Sequence, residues 1–118
     1  MNIPPQRVFI AIGVAMAVSL VAVAGKPGAG YLFPGRWHYI AHFLTFAVFG
    51  AVWTLGLPKA SPLHVAAGAV AFGFMHEAYE IAGHVHGFEL VDAIVDAMGA
   101  IVGISFAHLC LRGTTPGG

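Results

Sequence analysis

Charge is what this sequence has least of. Only 8% of its 118 residues are Asp, Glu, Lys or Arg, while 58% are hydrophobic, and no water-facing globular surface is built from that balance. Five basic residues match five acidic ones, for a formal net charge of zero, so there is no basic face to hold nucleic acid. The single cysteine, Cys110, excludes an internal disulfide and leaves the redox compartment open. Internal repeats, heptads and low-complexity blocks are missing as well. With a mean hydropathy of +0.84, the chain reads as an integral membrane protein, one domain over residues 1–118.

What is present is four long apolar segments. They run from about residues 7 to 24, 37 to 57, 61 to 82 and 90 to 111, each close to the ~20 residues that cross a hydrocarbon core. Turn chemistry separates them: "GKPGAGYLFPGR", "LPKASP" and "GHVHGF". Ser61 before Pro62 reads as an N-cap with proline in the first helical position. The expected fold is therefore all-α, a polytopic four-helix transmembrane bundle. The first segment also resembles a signal peptide, with Arg7, an apolar run and small residues at Ala22, Ala24 and Gly25. Its apolar run is longer than the usual signal core, which favours a retained helix.

The few ionisable groups are concentrated. All five carboxylates, Glu77, Glu80, Glu89, Asp92 and Asp96, fall between residues 77 and 96. His76, His84 and His86 lie in or beside that stretch, and His38 and His42 sit upstream. Ionisable groups in membrane-grade sequence are expensive and mark sites. With four crossings, the loops after the first and third segments share one side. His38 and His42, then His76, Glu77 and Glu80, then Asp92 and Asp96 come to similar depth there, within roughly two turns of one interface.

Three i,i+4 pairs, His38/His42, His76/Glu80 and Asp92/Asp96, each lie on one helical face. The aspartate face continues through Gly99 and Gly103, and Gly73 precedes His76 on another. Such small-residue stripes let a neighbouring helix approach closely.

Several carboxylates in a partly dry pocket repel, so they take protons, pair with imidazolium or coordinate a metal. Arg36 is near, and Lys26 stands in a loop at the same side. The metal-ligating candidates are His38, His42, His76, Glu77, Glu80, Asp92 and Asp96, in a His/carboxylate set suited to Zn, Mn or non-haem Fe. "HEAYE" partly matches the zinc-protease "HExxH", with His76 as ligand and Glu77 as candidate base, but Glu80 replaces the second histidine. The other reading is interhelical glue, at about 0.6 kcal/mol per hydrogen bond. His64 and His108 fall on the opposite side as packing residues. Trp37, Tyr39, Tyr31, Phe33, Trp53 and Tyr79 read as an interfacial aromatic belt.

Over about residues 36–104 the pattern resembles the VanZ-like family of small four-helix membrane proteins. The resemblance rests on "HYIAHFLTFAVFG" with His42, on Glu77 and Glu80, and on Asp92, Asp96 and Gly99. It implies a four-helix membrane fold and these polar positions. The family's founding member is associated with resistance to glycopeptide antibiotics of the teicoplanin type, a phenotype we do not carry over. His38 stands where the family has an acid, Glu80 where it has glutamine, and Asp96 where it has asparagine. The family's basic residue in the third loop is missing, with His84 and His86 nearby instead. Each change strengthens metal or proton binding.

Arg7, Lys59 and Arg112 lie on the side of the termini, against Lys26 and Arg36. The positive-inside rule then places both termini in the cytoplasm, in a bacterial inner membrane, with the polar cluster outside. The expected function is an envelope protein binding a cation or a polar lipid head group. Alternatives are an accessory subunit touching other membrane subunits, and a metal-dependent hydrolase of a lipid-linked substrate.

Overall fold

The computed structural model describes residues 5–24, 36–83 and 90–114, and the side chains of 5–22, 37–78 and 90–113. It consists of four helices: α1 (Gln6–Ala24), α2 (Arg36–Gly56), α3 (Pro62–Gly83) and α4 (Leu90–Thr114). Among the described residues, Pro5 and Pro58 lie outside the helices and Pro62 takes the first position of α3, as a missing N–H and fixed φ require. There Ser61 Oγ accepts from the Leu63 N–H at 3.2 Å, and the Ser61 carbonyl accepts from His64 and Val65. This is the cap expected from the sequence.

Two helices, α2 over Trp37–Gly56 and α4 over Leu90–Gly113, are long and apolar enough to cross a membrane. Their outward faces carry Leu44, Val48, Ile94, Met98, Ile101 and Phe106, all strongly exposed. Monomeric soluble proteins rarely leave so much contiguous apolar surface uncovered.

The most extensive contact joins α2 to α4, and glycine makes it possible. A methyl group built on Gly99 would collide with the Phe43 carbonyl, and one on Gly103 with the Ala47 carbonyl. On α2, a methyl on Gly50 would lie 2.7 Å from the Ala100 carbonyl oxygen. Backbone therefore meets backbone along this seam. Positions 43 and 47 of α2 match 99 and 103 of α4 in the same order, so the two helices run parallel. Against them α3 runs antiparallel, with Phe72 and Gly73 beside Phe46 and Asp96. Helix α1 packs antiparallel on α2, Gly13 beneath the Trp53 indole and Ile10 against Gly56.

Phe46, Phe49, Val65, Ala69, Ala100 and Ile104 form the core. Phe49 and Phe72 stack at 4.9 Å across the α2–α3 contact. Trp53 packs on this core instead of joining an interfacial belt, because Gly13 leaves room for its ring. Thr54, buried within α2, donates to the Gly50 carbonyl at 2.8 Å and so satisfies its own hydroxyl.

Candidate metal centre

Parallel α2 and α4 bring their first turns to the same end of the bundle, and the i,i+4 spacing then aligns two pairs at once. His38 Nε2 lies 2.9 Å from Asp92 Oδ2, and His42 Nδ1 lies 2.7 Å from Asp96 Oδ1. Both bonds join residues 54 positions apart, so they are successive rungs of one ladder. Asp92 stands in the first turn of α4, where the helix dipole favours negative charge.

The two rungs differ in depth. The His38 side chain is 24% exposed and that of His42 12%, while both aspartates are essentially enclosed. The His38 and His42 rings lie 4.4 Å apart. Deeper still, His76 on α3 sits 6.2 Å from the His42 ring and stacks on Phe72, with the Leu20 backbone of α1 as a hydrogen-bond partner. Glu77 follows it, fully buried at 0% exposure. The polar groups therefore descend from a half-open mouth to the aromatic layer of Phe46 and Phe72.

Donor atoms of His38, His42 and Asp92 all lie within 4.8 Å of one another. Ligands at the usual ~2.1 Å from one zinc or iron ion are at most about 4.2 Å apart. The trio would therefore draw together to share one ion. Asp92 Oδ1 is buried with no hydrogen-bond partner among the described residues, a carboxylate oxygen that an ion would satisfy.

Asp96 stands behind this trio. With its carboxylate ionised it accepts the His42 Nδ1 proton, which leaves the Nε2 lone pair for a metal. That is the carboxylate–histidine arrangement found behind many metal ligands. Gly73 of α3 lies beside it, and a methyl there would sit at ordinary contact distance, 3.4 Å from Asp96 Cβ.

Of the seven residues expected from the sequence to ligate, the structure brings His38, His42 and Asp92 into one donor group. It places Asp96 against His42, and His76 and Glu77 in the buried layer below. Glu80 belongs to α3, but its side chain lies outside the described ones, as do those of Arg36 and Tyr79. Lys26, Tyr31, Phe33, His84, His86 and Glu89 lie outside the described residues.

His64 and His108 stand at the far end, and His64 lines a cavity there. Sequence reasoning missed the Phe46–Phe49–Phe72 layer that floors the polar site. Its only trace was three phenylalanines in the middle of apolar runs, where nothing distinguishes them from lipid-facing residues.

Searched against family models, curated proteins and solved structures, the chain matches none of them.

Proposed function

We propose that this chain is a small polytopic membrane protein that binds one divalent transition-metal ion through His38, His42 and Asp92, near the membrane interface opposite its termini. The observation that carries the reading is the convergence of those three donors around a buried carboxylate oxygen. Two imidazoles and one carboxylate leave coordination positions open, a set that suits non-haem iron(II) or zinc. The exposed apolar exterior supports placement in a bilayer, and Arg7, Lys59 and Arg112 at the other end orient the site outward. The likeness to VanZ-like sequences fits a protein of the cell envelope. Glu77, fully enclosed, takes its place in the buried polar layer and is assigned no catalytic step.

A second reading draws on the same geometry. His38 and His42 already hydrogen-bond Asp92 and Asp96, so the cluster serves equally as glue between helices of an accessory subunit. Elemental analysis of detergent-purified protein separates the two. Wild type should carry about one equivalent of zinc or iron, and a His38→Ala/Asp92→Asn variant none. No metal in wild type, even after incubation with zinc(II), manganese(II) and anaerobic iron(II), would leave the glue reading standing.

Imidazole ligates only when neutral, so bound metal should be released on acidification. His64→Ala and His108→Ala, at the opposite end, should leave metal content unchanged. Loss of metal in either would place the centre at the wrong end of the bundle.

A further inference from the structure

The end of the bundle away from the metal centre holds a cavity of about 290 Å³ between α1, α2 and α3. Ala17, Phe49, Trp53, His64, Gly68 and Phe72 contribute to its walls, which are almost wholly carbon. Two features show unused space and an unused polar group. A methyl built on Gly68 would meet nothing within 4 Å. The Trp53 indole N–H is buried without a hydrogen-bond partner among the described residues. The inner end stops on the Phe49–Phe72 stack, so an occupant does not reach the metal ligands.

Charge at the mouth is one-sided. The sequence places all five carboxylates between residues 77 and 96, toward the other end. Around the cavity end stand Arg7, Lys59 and Arg112, all exposed, with His64 in the wall. Lys59 lies in the loop between Leu57 and His64, both lining residues. An apolar slot with a cationic rim complements an amphiphile with an acyl tail and an anionic head. Basic residues at a membrane surface attract anionic lipids in the same way, and an apolar pocket with few polar groups at its mouth is the usual form of a small-molecule site.

We propose that this cavity is a binding site for an anionic phospholipid, with one acyl chain between α1 and α3 and the phosphate beside Lys59 and His64. The site rests on the membrane placement proposed above and is independent of the metal.

Trp53 provides the probe. In a Trp37→Phe background, Trp53 is the remaining tryptophan of the sequence. That protein is reconstituted into phosphatidylcholine vesicles containing a small mole fraction of either phosphatidylglycerol or phosphatidylcholine brominated on the acyl chains. Brominated phosphatidylglycerol should quench Trp53 at a several-fold lower mole fraction than brominated phosphatidylcholine. Gly68→Leu and Ala17→Leu, each filling the slot, should weaken quenching by both lipids and leave thermal stability equal or higher. Lys59→Gln/His64→Gln should abolish the preference for phosphatidylglycerol and keep the residual quenching.

Equal quenching by the two lipids in the parent protein would overturn the proposal, as would quenching that neither cavity-filling variant reduces. Flotation of the same vesicles reads the membrane placement separately. Protein that fails to float overturns both readings, and protein that floats with equal quenching overturns this one alone.

Discussion

Alanine at Gly103 is expected to force α2 and α4 apart and to cost the bundle about 3 kcal/mol or more, at or above the top of the usual range for overpacking. The added methyl would overlap the Ala47 carbonyl oxygen and lie 2.6 Å from the carbonyl carbon. Backbone cannot turn aside as a flexible side chain does, so one helix has to move. Gly99→Ala meets the Phe43 carbonyl in the same way and should behave alike.

Movement at this seam also opens the ladder above it, because His42 directly precedes Phe43 and Asp96 lies three residues, under one turn, before Gly99. Both variants should therefore lose metal affinity together with stability. Gly68→Ala is the contrasting case. It meets nothing within 4 Å and removes a helix-interior glycine, so it should stabilise by up to about 1 kcal/mol. Denaturation in mixed micelles, followed by circular dichroism, ranks the three. A Gly103→Ala protein as stable as wild type would mean that the α2–α4 seam is not the close backbone contact described.

His42→Ala has the second large effect, and it persists without metal. The substitution removes the imidazole 2.7 Å from Asp96, whose side chain is 1% exposed. Breaking one partner out of a buried charged pair costs about 3–5 kcal/mol, most of it the burden of the carboxylate left behind. Measured in excess chelator, His42→Ala should fall in that range, and adding Asp96→Asn should recover much of it, since a neutral amide is cheaper to bury.

Asp96→Asn alone should be mild in the metal-free protein yet weaken metal binding about 10- to 100-fold, the usual effect of losing a carboxylate behind a ligating histidine. Additivity of the two substitutions in chelator would show that the imidazole–carboxylate contact contributes nothing to folding. Unchanged metal affinity in Asp96→Asn would remove Asp96 from its role behind His42.

The sequence determined what is local. Hydropathy and the positions of proline gave four helices, with boundaries within a few residues of those observed, because a helix end depends on a few neighbouring residues such as Ser61 and Pro62. The i,i+4 spacing put His38 with His42 and Asp92 with Asp96 on common faces, because helical periodicity is fixed by the backbone alone. The glycines at 99 and 103 marked a close-packing face for the same reason.

What the spacing left open is which face meets which. Only the tertiary structure seated Gly99 on Phe43 and Gly103 on Ala47, and that register pairs His38 with Asp92 and His42 with Asp96. It also separated two aspartates that look equivalent in sequence, setting Asp92 in the donor group and Asp96 behind His42. The cavity beside Trp53 and the phenylalanine layer between it and the His38, His42 and Asp92 cluster were illegible for the same physical reason. A side chain four residues along its own helix is placed by backbone geometry, whereas one on another helix is placed by the fit of whole surfaces, and that fit is written at no single position of the chain.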